Sequence, residues 1–535
     1  MQRSTALLAR HARRRFATTS TLYVDGAAAA ASDTATIKTH SPADGSVLAE
    51  LSDASADDAR RAVAAAARCH ASGAYFRDGA ARRDALERAA AALRKDATVY
   101  ATNEARDCGK TFAEAEGDVA YCADMLDYYA GLVVDGATKE RRAPPPAAYE
   151  LDAACSIATY PAGVAALVTP WNYPLLQAVL KVAPAVAAGC PFVLKPSPLA
   201  SLTCVDFLQT ILGPLTPPGA CNLLTGGPPL SGSERGAGAL LADPRVAVCS
   251  FTGSSRGGEA VLRAAAPFAR PSALELGGKG ALVVLDDADV EAAADQALVG
   301  ILSCARRRPV LFLCLRHRRD PLPAAGAGQV CSATSRLLIQ RPIYDAVVER
   351  VLEKMAAVVV GKPLDAATTM GPLVSREQQE RVLGFVERAR QAALDVRQPA
   401  AQADGSGYFA PPTLVLGDLE GAEIWREEVF GPVLCAMPFE SDEDAIALAN
   451  ASRFGLAHAV FSADEARAAK CADALDAGVV WVNANQILWP DTPFGGWKAS
   501  GFGFEQGREG MAPFLRRKSV VVAPSPGGEG FVGVY

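Results

Sequence analysis

Short apolar runs that each end in a small or polar turn recur through the middle of this chain, with helical stretches between them. Val164-Ala165-Ala166-Leu167-Val168 closes on Thr169-Pro170, Phe192-Val193-Leu194-Lys195 closes on Pro196, and the run from Val246 to Phe251 closes on Thr252-Gly253. Each has the length of a buried strand feeding a loop. Strands alternating with helices predict βαβ units and a parallel sheet, whose ligands gather at the carboxyl ends of the strands. A second series begins at Ala281-Leu282-Val283-Val284-Leu285 and continues through Arg336-Leu337-Leu338-Ile339 and Gly478-Val479-Val480-Trp481-Val482. The expected class is α/β, with two doubly wound domains built on parallel-type sheets.

Around these series, Asp57 to Leu132 has helical periodicity, Pro144-Pro145-Pro146 breaks the chain, and Tyr149 to Tyr160 reads as extended. Lys518-Ser519-Val520-Val521-Val522-Ala523 is a late strand suited to pairing with the Tyr149 to Tyr160 segment of another protomer. At 535 residues and 50% apolar, the chain can bury large cores in two or three domains. A net charge of −6 gives no global basic field, so nucleic acid is not expected as a partner. No apolar run approaches the ~20 residues that cross a bilayer. Thirteen cysteines without a C-x-x-C pair argue against both a disulfide framework and a zinc knuckle. Five histidines show no metal-binding spacing, so no metal site is expected.

The first twenty residues carry Arg3, Arg10, Arg13, Arg14 and Arg15, with Asp25 the first acid. An Arg-rich, Ser-rich, acid-poor start reads as a transit peptide for the mitochondrial matrix, with plastid or cytoplasm as the alternatives.

Several motifs carry chemistry. Gly328-Gln329-Val330-Cys331-Ser332-Ala333-Thr334-Ser335-Arg336 sets a cysteine on a glycine-led turn that allows a loop-to-helix placement, which would lower the thiol pKa. Glu275-Leu276-Gly277-Gly278-Lys279 puts a carboxylate on a tight turn, placed to take a proton from a thiol or from water. Asn172, in Thr169-Pro170-Trp171-Asn172-Tyr173-Pro174, offers an uncharged amide donor for an oxyanion. Phe251-Thr252-Gly253-Ser254-Ser255-Arg256-Gly257 closes a strand and opens a helix, where free amides meet a phosphate. Taken singly, each has a plain structural reading as well: a buried thiol, a surface turn, a self-capping asparagine.

Together these motifs, dense and in order from about Leu22 to Ala523, resemble the aldehyde dehydrogenases, and specifically the betaine aldehyde and aminoaldehyde branch. Trp425-Arg426 and the Ser332 to Arg336 string stand closest to that branch. The resemblance implies a nucleophile at Cys331, a general base at Glu275, an oxyanion donor at Asn172 and a proton-relay carboxylate at Glu505. It implies a cofactor site formed by Lys195 at the adenosine ribose, Ser254 at the pyrophosphate, and Glu428 and Phe430 at the nicotinamide, with Thr169, Trp171, Gly253 and Gly277 beside them. Trp171, Tyr173, Trp489 and Trp497 are the aromatics available to cage a cationic aldehyde, although a core role suits Trp497 better. The cofactor implied is NAD; Pro198 stands where NAD-preferring relatives carry a ribose-binding glutamate, so NADP is open. The implied organisation is a cofactor-binding domain of residues 22–147 and 162–277, a catalytic domain of 278–513, and a small β element of 148–161 and 514–523 for assembly as a homodimer or homotetramer, with a tail at 524–535.

Three departures from the family pattern are present, and the first keeps other readings open. Residues 306–327 look inserted before the nucleophile, with six arginines beside Val310 to Leu315; the segment is either a genuine insertion or translated non-coding sequence. The aromatic expected shortly before the nucleophile loop is absent, with Ser303 near its place, and Phe504 stands where an arginine is usual. A cysteine acyltransferase or esterase, or an inactive assembly protein, therefore remains an alternative to the dehydrogenase.

Overall fold

A computed structural model describes residues 22–135, 138–142, 154–227, 235–302, 326–400 and 405–522. The leader expected at residues 1–20, the tail expected at 524–535, and all but the last two residues of the insertion expected at 306–327 lie outside the described residues.

The first apolar series forms one sheet of eight strands. Its order is Ala27–Ala29, Leu22–Val24, Cys221–Leu223, Phe192–Lys195, Val164–Val168, Val246–Thr252, Ser272–Glu275 and Gly501–Phe502. The five strands from Cys221–Leu223 to Ser272–Glu275 are mutually parallel. Numbered along the chain, these five run 3-2-1-4-5, so the order reverses between Val164–Val168 and Val246–Thr252. That reversal opens a crevice at their carboxyl ends, where Thr169 to Asn172 and Gly253-Ser254 emerge. Helices cover both faces: Ala56–Ser72 packs on one, and Gly79–Lys95, Phe112–Ala130 and Pro174–Ala188 pack together on the other.

The second series forms a seven-stranded sheet in the order Asp395–Arg397, Thr413–Leu416, Val433–Phe439, Arg336–Gln340, Ala281–Val284, Ala457–Phe461 and Val479–Val482, parallel apart from its first member. Its five inner strands, Thr413–Leu416 through Ala457–Phe461, are almost wholly buried, which is why most of them read as continuous apolar runs. The two-sheet α/β expectation therefore holds.

Two placements differ from the sequence reading. The late strand Leu515–Val522 pairs antiparallel with Ala154–Pro161 of the same chain, Leu515 opposite Pro161 and Val522 opposite Ala154, and Thr138–Arg142 completes a three-stranded ribbon. The pairing expected with another protomer is thus satisfied internally, because the two complementary edges already meet. The second is Gly501–Phe502, which leaves the second sheet's stretch of sequence and pairs with Ser272–Glu275 in the first, Glu275 opposite Gly501. A side chain at Gly501 would run into the Leu274 carbonyl, and its φ of 115° belongs to glycine. This crossing carries Glu505 under Glu275.

Candidate active site

Cys331 lies on a turn between the short helical turn Gly326–Gly328 and the strand Arg336–Gln340. The helix expected after it is absent, since the chain passes straight into the sheet, and with it goes the helix dipole that would favour a thiolate. The loop is pinned on both sides of the thiol. Asn172 Nδ2 donates to the Gln329 carbonyl at 2.8 Å, and Gln329 Oε1 accepts from the Val374 N–H at 3.0 Å. On the other side, Ser332 Oγ donates to Gln486 Oε1 and Gln486 Nε2 returns a bond to the Ser332 carbonyl, both at 2.8 Å.

Two cavities meet at this thiol. The larger, of about 480 Å³, is bordered by Trp171, Asn172, Ser254, Arg256, Gly277 and Glu428, among others. The smaller, of about 60 Å³, is bordered by Asp118, Tyr173, Leu180, Phe494 and Glu505 among others. Cys331 and Gln177 border both. Cys331 keeps some accessible surface, yet desolvation is the largest influence on its thiol. Together with the carboxylates of Glu275, Glu428 and Glu505, it holds the thiol well above its ordinary range.

Glu275 is buried at the end of its strand, and neither carboxylate oxygen finds a hydrogen-bond partner. Desolvation raises its pKa well above the carboxylate range, and the nearby Glu505 charge adds to this. The Lys181 ammonium and the Gly496 N–H pull the other way without reaching hydrogen-bonding geometry. Glu505 itself accepts from Lys181 Nζ and, at 3.0 Å, from Thr252 Oγ1. Lys181 spends its other two protons on Thr252 Oγ1 at 2.7 Å and Ser250 Oγ at 3.2 Å.

On the side of the larger cavity, Ser254 caps the helix Ser255–Ala265 by accepting from the Gly257 N–H. Trp171 and Phe430 meet edge to face with centroids 5.3 Å apart. Glu428 Oε1 accepts from the Gly278 N–H at 2.8 Å, and burial raises its carboxyl to about 7. Lys195 is buried with Nζ on the carbonyls of Pro196 and Gly227, and desolvation lowers it to about 8. Thr169 is buried with an unpartnered hydroxyl, and Gly253 borders the cavity. Gly277 and Gly278 have no room for a side chain, since Cβ atoms there would meet Glu428 and the Cys331 carbonyl.

The aromatic cage does not assemble as expected. Tyr173 borders the smaller cavity, but its ring faces the internal Lys110 ammonium at 3.9 Å. Trp171 belongs to the larger cavity; Trp489, 59% exposed, and Trp497, 50% exposed, border neither, so the core role expected of Trp497 does not hold. Lys181, Gln177, Gln486 and Asp118 were not singled out from sequence. The signal for two of them was present: Gln177 and Lys181 are the polar residues of the otherwise apolar helix Pro174–Ala188, four apart and so on one face.

A partly accessible thiol lies between the two cavities with a buried carboxylate nearby, and the chain belongs to the aldehyde dehydrogenase family, which matches residues 29–308 and 324–520. Within it, the chain is 38% identical over 84% of both chains to an aminoaldehyde dehydrogenase of Arabidopsis thaliana named as chloroplastic. It is 37% identical to a peroxisomal aminoaldehyde dehydrogenase of Malus domestica, over 90% of this chain and 91% of that one. It is 36% identical to a chloroplastic betaine aldehyde dehydrogenase of Amaranthus hypochondriacus over the same shares. Among solved structures, betaine aldehyde dehydrogenase of Staphylococcus aureus in complex with NAD+ superposes with a TM-score of 0.88 at 31% identity, covering 98% of this chain and 99% of that one. Residues 309–323 fall between the two stretches that match the family.

Proposed function

We propose that the protein oxidises a small cationic aldehyde, a betaine aldehyde or an ω-aminoaldehyde, to its carboxylic acid through covalent adducts on Cys331. The observation that carries this reading is the place of Cys331 where the two cavities meet, with Glu275 buried and unpartnered nearby.

The larger cavity suits one end of a dinucleotide: a helix start with Ser254 for phosphate, Arg256 and Arg381 as cations, and Trp171, Glu428 and Phe430 near the thiol. Lys195 stands by for the ribose. Bound there, NAD supplies the hydride acceptor that these side chains lack; Pro198 in place of a carboxylate leaves NADP as the second choice. Glu275 takes the thiol proton and Cys331 Sγ adds to the carbonyl carbon. The oxygen gains charge within reach of the second N–H of Asn172 Nδ2 and the Cys331 amide. Once the carbon is oxidised, the acyl group stays on Sγ as a thioester. Glu275 then takes a proton from water, the new C–O bond forms, the C–S bond breaks and the acid leaves. Aldehyde and water enter; acid, one hydride equivalent and one proton leave. Glu505 and Lys181 carry the proton away from Glu275.

A cationic substrate is supported by the smaller cavity, whose wall has no basic side chain to repel it, although its two acids, Asp118 and Glu505, are paired with Lys110 and Lys181. Growth of NADH absorbance with betaine aldehyde or an aminoaldehyde, abolished in Cys331→Ala, tests the reading against an esterase or an inactive assembly protein. Equal kcat/KM for hexanal and betaine aldehyde would remove the cationic preference. Residues 1–20 are read as an address for the mitochondrial matrix, and the chloroplastic names of two relatives support a plastid as the second reading; imaging a fluorescent fusion decides between them. Assembly as a homodimer or homotetramer is part of the same proposal, supported by the exposed apolar side chains Val482, Trp489, Trp497 and Phe502, and checked by light scattering.

A further inference from the structure

The polar side chains around the smaller cavity are almost all spoken for. Tyr173 donates its hydroxyl to Glu114 Oε1 at 3.3 Å, Tyr121 donates to Gln506 Oε1, and Ser332 exchanges bonds with Gln486. Asp118 is held by the Lys110 ammonium, and Glu505 by Lys181 and Thr252. Two acceptors are left over: Glu505 Oε2, on a carboxylate already held through Oε1, and the carboxamide of Gln177. Gln177 is 8% exposed, no side-chain hydrogen bond reaches it among the described residues, and its Oε1 is buried without a donor. A buried carbonyl oxygen in that state costs free energy until a donor arrives.

Position says what that donor belongs to. Gln177 is one helical turn beyond Tyr173 and one before Lys181, on the face that looks into the site. Only Gln177 and Cys331 border both cavities. A group that satisfies Gln177 therefore lies close to the carbon that Sγ attacks, on the second or third carbon of the aldehyde. The rest of the wall nearby is apolar, with Leu176, Leu180, Val330 and Leu488, and the cavity is small, so a short chain fits.

We infer that Gln177 is a specificity-determining residue, whose carboxamide accepts a hydrogen bond from an N–H or O–H on the second or third carbon of the aldehyde. This rests on the aldehyde-oxidising reading above and narrows its substrate. Short amino- and hydroxyaldehydes bring the donor; a trimethylammonium group has none, so betaine aldehyde leaves Oε1 unpaired. A site built to bond an N–H or O–H rejects an analogue without one more strongly than an apolar pocket separates chain lengths.

The test compares NADH formation from 3-aminopropanal, glycolaldehyde, betaine aldehyde and propanal by the full-length wild type, Gln177→Met and Gln177→Glu. Methionine keeps the length and removes the acceptor; glutamate keeps the acceptor. The expected result is a fall of about tenfold in kcat/KM for the donor-bearing aldehydes in Gln177→Met, the scale of one net hydrogen bond. Betaine aldehyde and propanal stay within about twofold, and Gln177→Glu keeps the preference. The 3-aminopropanal and glycolaldehyde arms separate ammonium from hydroxyl as the donor. An equal loss on all four aldehydes would assign Gln177 to the attacking water or the oxyanion and overturn the inference, as would no loss at all. A second measurement does not depend on turnover: calorimetric binding of 3-aminopropan-1-ol, choline and propan-1-ol to Cys331→Ala, with and without Gln177→Met. Selective weakening of the amino alcohol supports the inference even where no aldehyde is oxidised, an outcome that would overturn the dehydrogenase reading alone.

Discussion

Asn172 Nδ2 donates to the main-chain carbonyl of Gln329, two residues before Cys331, and so the amide proposed to face the reacting oxygen also fixes the loop that carries the thiol. The donor comes from the switch point of the first sheet and the loop from the second, which makes this bond a tie between the two halves of the site. Asn172→Ala is expected to lower kcat by about 10²–10³, the usual loss for one oxyanion donor. Asn172→Asp is expected to be worse, because a carboxylate confronts both the Gln329 carbonyl and the developing oxyanion. Steady-state kinetics, with thermal melts to show that both variants fold, check the order.

Glu505 and Glu275 are like charges in a buried setting, and only Glu505 has a cation on it. Desolvation first, and then the Glu505 charge, hold the Glu275 proton on, so the basic form appears only as pH rises well past the ordinary carboxylate range. Glu505→Gln removes the repulsion, and the Glu275 pKa falls. The rising limb of the pH profile for thioester hydrolysis is therefore expected to move to lower pH, read from single-turnover acyl release between pH 5 and 9. The linked stability effect has a definite sign. Folded Glu275 binds its proton more tightly than unfolded Glu275, so wild-type stability declines as pH rises through that interval. Glu275→Gln has no such decline, and its melting temperature is expected to gain on wild type from pH 5 to pH 8.

Gly278 stands against the Cys331 carbonyl so closely that an added methyl must push the nucleophile loop aside, while its N–H holds Glu428. The expected outcome for Gly278→Ala is a loss of about 10² in kcat, since displacing a reacting group by about an ångström costs that much. Cofactor affinity should weaken as well, because Glu428 loses its anchor. NADH fluorescence titration separates the binding effect from the kinetic one.

The sheets were legible in the sequence because parallel strands buried on both faces leave unbroken apolar runs such as Ala281 to Leu285 and Val164 to Val168. Cys331, Glu275 and Asn172 were legible because each sits on a turn of unusual composition. The crossing at Gly501–Phe502 was not: a two-residue strand has no periodicity, and nothing local announces that Glu505 will lie beneath a strand more than two hundred residues earlier. The aromatic cage failed for a related reason. Trp171 and Tyr173 are two apart in sequence, but the turn into the helix sends one ring into the larger cavity and the other against Lys110. Gln177 and Lys181 carried a readable signal, a polar pair four apart in an apolar helix, whose meaning depended on what that face met.

The helix that presents Gln177 and Lys181 is itself held at its far end by a buried cation. Arg82 is 1% exposed and donates to five carbonyls: Tyr75 and Phe76 from one short helix and its edge, Val134 from the loop after Phe112–Ala130, and Val186 and Ala187 from the last turn of Pro174–Ala188. Helix ends leave their last carbonyls without partners, and here one guanidinium caps them while locking three segments together; Gly189 follows at φ 78°, ending the helix. No carboxylate forms an ion pair with Arg82 among the described residues, so its charge is met mainly by carbonyl dipoles, with the Tyr75 and Phe76 rings and the more distant Asp135 and Asp78 charges adding to them. Arg82→Met keeps most of the volume and removes the guanidinium donors; the Val186 and Ala187 carbonyls keep the Gly189 and Val134 N–H groups, while those of Tyr75, Phe76 and Val134 are left without their donor at about 1–3 kcal/mol each before relaxation. A net loss of about 3 kcal/mol or more in denaturant-induced unfolding is expected. Lysine carries the charge but lacks the planar fork, so Arg82→Lys should recover less than half of it. Because Val186 is about two and a half turns along the helix from Gln177, surviving folded enzyme is expected to keep its kcat, and a fall in kcat at unchanged stability would show instead that Arg82 sets the pitch of the helix that carries Gln177 and Lys181.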